Sequence, residues 1–338
     1  MTVGRKEEGA AAGECRAAGV FSPAGPLYGP PMSAAESSIE RAVVVGAGTM
    51  GHGIAQVLAQ AGIATTLCDV DVGVLERGMA KIKENLDKGV SKAKLTAADR
   101  DAALQRLTAS TTKDALASAQ LLIEAIPERL EWKRALFAEA DAKMPAGALL
   151  ASNTSSLSIA AIAAATQRPS DVVGLHFFNP VHIMKLLEIV KGPQTSSSSV
   201  QRCLGLAQRL QKTAIVVNDA PGFATSRLGI CLGNEAMRMV EQGVASASDI
   251  DLAMKLGYGH PMGPLALSDL VGLDVRLQIT EGLFTALGTA GFAPPAVLQR
   301  LVQLGYTGKK SGKGFYVWVD GEITGPNPAA AAAERAGG

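Results

Sequence analysis

From residue 41 onward, apolar runs alternate with stretches of helical periodicity. Residues 41–45 (RAVVV) form a β-branched run that ends in glycine, and an apolar-periodic segment follows at 54–61. The two read as strand, tight turn, helix. Residues 64–68 form a second strand ending at Asp69, and 74–88 and 97–107, rich in Lys, Glu and Ala, read as helices. The alternation continues with a strand at 121–125, a helix at 131–143, a strand at 149–152 and a helix at 159–165. Two strand-like segments, 172–176 and 184–190, a helix at 200–211 and a closing strand at 214–217 complete this half. Strands alternating with helices demand right-handed crossovers. The expected architecture is therefore α/β, a doubly wound, mainly parallel sheet covered by helices on both faces.

After Asp219, Pro221 and Gly222 the strand signal stops, and 227–241, 247–255, 265–278 and 295–303 all read as helices. An all-α C-terminal domain over 219–320 should follow a sheet domain over 39–218. The long apolar faces of these helices exceed what a small unit buries alone, which predicts a homodimer formed through the helical domain. Residues 1–38 are Ala/Gly/Pro/Ser-rich and aperiodic, and read as a flexible tail, as do 321–338. Glu7, Glu8 and Glu14 do not suit a transit peptide. Met32 directly precedes the first patterned residues and is an alternative start of translation.

Composition narrows the partners. A chain of 338 residues fits two domains. With a net charge of +1, no basic stripe and 4% aromatic residues, neither nucleic acid nor a membrane surface is an expected partner. No apolar run approaches the ~20 residues of a membrane-spanning helix. Cys15, Cys68, Cys203 and Cys231 are widely separated, without a zinc spacing. That implies no metal and a reducing, cytoplasmic compartment.

The first turn carries a motif. Gly46, Gly48 and Gly51, with Thr49 and Met50 between them, fit G-x-G-x-x-G. The pattern alone is weak, but here it follows a strand, opens a helix and has Asp69 at the end of the next strand. Gly46 suits the tight turn, Gly48 the approach of a pyrophosphate, and Gly51 close helix–strand packing. Asp69 can accept ribose hydroxyls and would repel a 2′-phosphate, so NAD is favoured over NADP; Asp71 competes for that role. His52, just past the glycines, reads as a helix-surface residue.

A second motif concerns proton transfer. His176 ends one predicted strand, and Glu188 lies on the next between Leu187 and Ile189. An acid on an apolar strand is costly to bury unless paired, and a His–Glu pair resolves that cost while orienting the imidazole. Ser152, Thr154, Ser155 and Ser156 follow a strand at the sheet edge where such folds bind ligands. They are also candidates to cap a helix starting at Leu157.

At these residues the chain resembles the 3-hydroxyacyl-CoA dehydrogenase family, over about residues 40–320. The resemblance rests on VVGAGTMGHGIA, LLIEAIPERLEWK, SNTSSLSI, GLHFFNPV followed by KLLEIV, PGFATSRL, GHPMGPLALSDLVGLD and GYTGKKSGKGFYVW. It implies a Rossmann-type NAD-binding domain followed by a helical dimerisation domain, and a soluble enzyme acting on acyl-CoA. By the same resemblance His176 is the general base for the substrate 3-hydroxyl, and Glu188 stabilises its imidazolium. Ser155 bonds the substrate oxygen, and Asn179 supports the loop. Gly46, Gly48, Thr49, Met50, Gly51, Asp69, Glu128, Lys133 and Asn153 are the implied cofactor contacts. Lys133 reads equally as a solvated helix lysine. Where the family has P-G-F-x-x-N-R, this chain has Ser226 in place of asparagine, which implies altered substrate fit.

Lys88, Lys92 and Lys94 are candidates for the CoA phosphates, although a solvated Lys-rich face reads as well for each. The substrate expectation is short-chain 3-hydroxybutyryl-CoA. A longer β-oxidation substrate or an aromatic-catabolism intermediate is the alternative. A non-catalytic NAD-binding structural protein is the reading from another class, and the intact His176–Glu188 pair disfavours it.

Overall fold

The structure, a computed structural model, describes residues 39–331. The expected tail over 1–38, with Cys15 and Met32, and residues 332–338 lie outside the described residues. In chain order the first half comprises β1 (Arg41–Val45), α1 (Gly51–Gln60), β2 (Ala64–Cys68), α2 (Val72–Ser91), α3 (Ala97–Gln105) and β3 (Leu107–Ser110). It continues with β4 (Leu121–Glu124), α4 (Leu130–Lys143), β5 (Leu149–Ser152), α5 (Ile159–Ala163) and β6 (Val172–Phe177). β7 (Leu186–Lys191), α6 (Ser197–Arg209) and β8 (Thr213–Asn218) close it.

The eight strands stand in the order β3-β2-β1-β4-β5-β6-β7-β8. All neighbours are parallel except β6 and β7, which run antiparallel. This is the doubly wound sheet expected. Strands β4, β5 and β6 are buried throughout, which is why they read as continuous apolar runs rather than alternating ones. Ile54, Leu58, Ile82 and Leu206 pack α1, α2 and α6 on one face of the sheet. Phe137, Leu136 and Ile162 pack α4 and α5 on the other. The strand order reverses between β1 and β4, the switch point where such sheets open a ligand crevice at their carboxyl ends.

Residues 97–107, expected as one helix, end their helix at Gln105, and Leu107–Ser110 is an edge strand. Four residues, two of them exposed, carry no apolar alternation that could reveal it.

The second half comprises α7 (Thr225–Glu241), α8 (Ala247–Gly257), α9 (Pro264–Val271), α10 (Leu273–Leu287) and α11 (Ala296–Gln303). The single helix expected over 265–278 is two, divided at Gly272, whose φ of 106° no helix accommodates. A second correction concerns the chain end. The domain expected to be all-α carries an antiparallel hairpin of β9 (Tyr316–Val319) and β10 (Glu322–Pro326), so the fold continues past residue 320, where a tail was expected.

Two buried aspartates explain that hairpin. Asp269 accepts the backbone N–H groups of Phe315 (2.8 Å) and Tyr316 (2.9 Å) and the Trp318 indole N–H (2.9 Å). Asp251 accepts the N–H groups of Leu265 and Ala266 at the start of α9, each at 2.8 Å, and the Tyr316 hydroxyl at 2.8 Å. The GHPMGPLALSDLVGLD and GKGFYVW stretches are thus stapled to each other inside the helical core.

Candidate active site

The turn from β1 into α1 has the properties that a dinucleotide requires. Gly46 has φ 102°, and a Cβ there would lie 2.5 Å from the Ala125 carbonyl oxygen. A Cβ on Gly51 would lie 1.6 Å from the Gly46 oxygen, so neither position admits a side chain. Gly48 faces open space and, like Thr49, is exposed. No side chain caps α1 at Met50, so its first turn presents N–H groups to an anion without a side-chain competitor, that of His52 lying 3.3 Å from the Gly48 oxygen. The residues present therefore fit a pyrophosphate.

Asp69, at the end of β2, receives the Ala47 N–H at 2.8 Å on one carboxylate oxygen and the Asp71 N–H at 3.1 Å on the other. Asp71 caps α2 through the Val74 N–H at 3.0 Å, a structural task that sets it apart from Asp69. The imidazole Nδ1 of His52 is occupied by the Gly48 oxygen at 2.8 Å.

The carboxyl ends of β4 and β5 carry a buried ionic network. Lys133, expected as readily in solvent as at a cofactor, is only 1% exposed. Its Nζ donates to Glu124 Oε1 (2.6 Å) and the Ile126 oxygen (3.3 Å) and pairs with Glu128 Oε2 (3.1 Å). The solvated reading fails because α4 lays Lys133 against the sheet, where two carboxylates offset its desolvation. Glu124 in turn accepts the Ser152 hydroxyl at 2.6 Å, the two residues being register partners. Burial raises the Glu124 pKa, against the pull of Lys133. Burial would also raise that of Glu128, but Lys133 and Thr154 outweigh it, and its net shift is downward.

Glu128 Oε1 gathers the serine turn. It accepts the Thr154 hydroxyl, the N–H groups of Ser155 (3.0 Å) and Ser156 (3.1 Å), and the Ser156 hydroxyl (3.1 Å). None of the four residues expected as a helix cap is one. Helix α5 starts two residues later, at Ile159, and Ser158 caps it. Thr154 instead closes the turn through the Leu157 N–H at 2.9 Å.

His176 and Glu188 are opposed in the β6–β7 register, which places both side chains on the same face of the sheet. His176 Nδ1 lies 2.7 Å from Glu188 Oε2. A carboxylate only accepts, so Nδ1 carries a proton, and in the neutral imidazole the lone pair is then on Nε2. Glu188 Oε2 also accepts the Thr225 hydroxyl at 2.8 Å, while Oε1 accepts the N–H groups of Ala224 (3.2 Å) and Thr225 (3.0 Å) at the start of α7. Burial alone would raise the Glu188 pKa; the bonds from His176 and Thr225 prevail and hold it below the usual carboxylate range. Phe178 and Phe223 flank the imidazole, with ring centroids 4.5 and 5.9 Å away.

A cleft of about 370 Å³ brings Met50, Glu128, Asn153, Ser155, His176 and Asn179 together. Asn153 Oδ1 accepts the Phe177 N–H at 2.9 Å, tying the serine turn to the strand that bears His176. Asp69, Lys133 and Ser226 do not line this cleft; Ser226 sits in the first turn of α7, beside Thr225. Among the lysines expected at phosphates, Lys88 is paired with Glu84, whereas Lys92 and Lys94 are exposed. Cys68 and Cys203 are buried, and burial pushes their thiols up to about 11 and about 12.

Sequence reasoning missed Glu124 and Thr225. A carboxylate ending an otherwise apolar strand, LLIE, was the available signal for the first. The second had none, because it meets Glu188 only through the docking of α7.

A glycine-lined helix start and a strand-borne His–Glu pair around one crevice define a dinucleotide-dependent oxidoreductase. Residues 41–220 match the family model "3-hydroxyacyl-CoA dehydrogenase, NAD binding domain", and 222–318 match "3-hydroxyacyl-CoA dehydrogenase, C-terminal domain". The chain belongs to the 3-hydroxyacyl-CoA dehydrogenase family, and its cofactor is NAD. It is 42% identical over 283 residues to the 3-hydroxybutyryl-CoA dehydrogenase of Mycobacterium tuberculosis, covering 83% of this chain and 99% of that protein. It is 43% identical over 282 residues to the 3-hydroxyadipyl-CoA dehydrogenase of Escherichia coli, covering 83% of this chain and 59% of that protein. The crystal structure of (S)-3-hydroxybutyryl-CoA dehydrogenase from Ralstonia eutropha superposes with a TM-score of 0.81 at 39% identity, over 84% of this chain and all of that one.

Proposed function

We propose that this protein interconverts (S)-3-hydroxyacyl-CoA and 3-ketoacyl-CoA, with short chains such as 3-hydroxybutyryl-CoA as its substrates. The observation that carries this reading is the 2.7 Å bond from His176 Nδ1 to Glu188, which leaves Nε2 as a base beside the cleft. NAD, when bound, supplies the hydride acceptor. His176 Nε2 takes the proton from the substrate 3-hydroxyl, and Glu188 stabilises the imidazolium that forms. A base placed in this way is worth roughly 10²–10⁴ in rate. Ser155 bonds the substrate oxygen, and Asn153 and Asn179 hold the cleft wall. Gly46, Gly48, Thr49, Met50 and Gly51 receive the pyrophosphate, Asp69 the adenosine ribose, and Glu128, backed by Lys133, the nicotinamide side.

A dicarboxylic substrate is the second reading, favoured by the equal similarity to the E. coli 3-hydroxyadipyl-CoA enzyme. Exposed Leu228, Leu256, Leu270 and Val271 on α7, α8 and α9 support a homodimer through the helical domain. No helix among the described residues is long and apolar enough to cross a membrane. The deciding experiment follows NADH oxidation with acetoacetyl-CoA, longer 3-ketoacyl-CoA thioesters and 3-oxoadipyl-CoA. Acetoacetyl-CoA should have the highest kcat/KM, and His176→Gln should abolish most turnover. Turnover near wild type in that variant would overturn the assignment of the base.

A further inference from the structure

Residues 178–185 connect the two antiparallel strands that carry His176 and Glu188, and one lysine from elsewhere in the fold ties that connection down. Lys212 follows α6. Gln211 has φ 54°, and the Gln211 N–H bonds to the Gln208 oxygen while the Lys212 N–H bonds to the Ala207 oxygen, each at 2.9 Å. This pair of bonds is a Schellman end, and it holds the Lys212 backbone firmly. From there Nζ donates to the Val181 and Met184 carbonyl oxygens, both at 2.7 Å, and lies 5.8 Å from the Phe177 ring centroid. Thr213 adds a backbone bond to the Lys185 oxygen at 2.8 Å.

We propose that Lys212 is a positioning residue for the reaction: its ammonium clamps the 178–185 connection, so that His176 stays in register with Glu188 and Asn179 stays at the cleft. The inference rests on the proposed role of the His–Glu pair. Three observations support it. First, both carbonyls belong to the short loop between the paired strands, so one cation ties two points of that loop together. Second, the aromatic ring beneath the ammonium belongs to Phe177, the neighbour of His176 and the donor to Asn153. Third, the charge is kept at a cost: burial and the neighbouring Lys185 press the Lys212 pKa down to about 8. A solvated lysine on an α6–β8 turn would escape that cost, and here the side chain turns inward to the two carbonyls.

The test compares Lys212→Met, which keeps the length of the side chain but removes its donors, with Lys212→Arg, which restores them. Acetoacetyl-CoA reduction should show kcat lowered about tenfold in the Met variant, as expected for a modest misplacement of the base, with KM for NADH within twofold. The Arg variant should regain most of that loss. A kcat within twofold of wild type in Lys212→Met overturns the proposal, as does a loss that Lys212→Arg leaves unrepaired. A readout independent of turnover is the downfield Nδ1 proton of His176, identified in NMR spectra by its disappearance in His176→Gln. It should shift or broaden in Lys212→Met; an unchanged resonance overturns the proposal. Should the wild-type protein turn over no acyl-CoA, the functional reading fails, and this resonance still decides the role of Lys212.

Discussion

Thr225 holds the carboxylate of Glu188 with two hydrogen bonds, its N–H to Oε1 at 3.0 Å and its hydroxyl to Oε2 at 2.8 Å. The first turn of α7 thereby docks the helical domain onto the acid that orients His176. Thr225→Val keeps the N–H bond and nearly the same volume while deleting the hydroxyl. A hydrogen bond to a charged group contributes about 1.5–3 kcal/mol. We expect kcat for acetoacetyl-CoA reduction to fall about tenfold with KM for NADH unchanged, and Thr225→Ser to recover most of it. Equal kcat in all three proteins would refute the link.

Glu188→Gln should act through the imidazole tautomer. Two backbone N–H groups face Oε1, so the amide oxygen of glutamine settles there and its NH₂ faces His176. Nδ1 must then accept, and the proton moves to Nε2, where a base needs a lone pair. A loss of roughly 10²–10⁴ in kcat follows. The pH dependence has a definite sign. Glu188 has a folded pKa below its ordinary value, near 4.3 when unfolded, so its stabilisation is full above that value. It is lost as pH falls through the folded pKa. Urea unfolding between pH 3 and 7 should show a flatter acid limb in the Gln variant than in wild type.

Much of this site was legible because its parts are local. The glycines of the first turn, the strand-end Asp69 and the opposed His176 and Glu188 all follow from period and spacing, since paired strands fix who faces whom. The sequence reading reached the sheet for the same reason: continuous apolar runs mark strands buried on both faces. It failed where a contact is made by folding at long range. Lys133 looks like any surface lysine until α4 lays it over Glu124, whereas the β9–β10 hairpin did leave a signal that went unread, the Asp320-Gly321 turn, both residues at positive φ, between YVWV and EIT. The single helix drawn through Gly272 failed on one residue, because apolar periodicity carries across a break that only a positive φ reveals.

Lys133 should be worth most to stability. Replacing it with Met leaves two carboxylates in the space that one ammonium had neutralised. Breaking a buried pair in this way costs about 3–5 kcal/mol. Protonating Glu124 and Glu128 relieves the repulsion, so the loss measured by urea unfolding should be larger at pH 7.5 than at pH 5. Adding Glu124→Gln to Lys133→Met should recover part of it, and strict additivity of the two changes would show that the residues act independently.

Trp318 separates structural motif from chemistry. Trp318→Phe deletes the indole N–H that Asp269 accepts, leaving the Tyr316 N–H alone on that oxygen. A hydrogen bond to a carboxylate contributes about 1.5–3 kcal/mol, and the phenyl ring retains part of the buried apolar area. Unfolding stability should drop by about that amount. Trp318 lies outside the cleft, so kcat and both KM values at 25 °C should stay within twofold of wild type. A tenfold kinetic effect would mean that the hairpin reaches the active site.

Ser226 stands where the resemblance of PGFATSR led us to expect an asparagine, and its position allows a sharp test. It is the second residue of α7, next to Thr225, which bonds the carboxylate that orients His176. A serine hydroxyl reaches less far than an asparagine amide, and its single oxygen both donates one bond and accepts, where the amide separates two N–H donors from a carbonyl acceptor. If the side chain at 226 meets the substrate's oxygen, Ser226→Asn should raise kcat/KM for acetoacetyl-CoA about threefold to tenfold, and Ser226→Ala should lower it by a similar factor. A chain-length series with each variant reads specificity at the same time. The short thioester should gain most from asparagine, because its reacting carbonyl depends least on tail contacts for placement. Identical kcat/KM for Ser, Asn and Ala at this position, over the whole series, would remove residue 226 from the proposed substrate site and leave Thr225 as the contact from α7 to the His176–Glu188 pair.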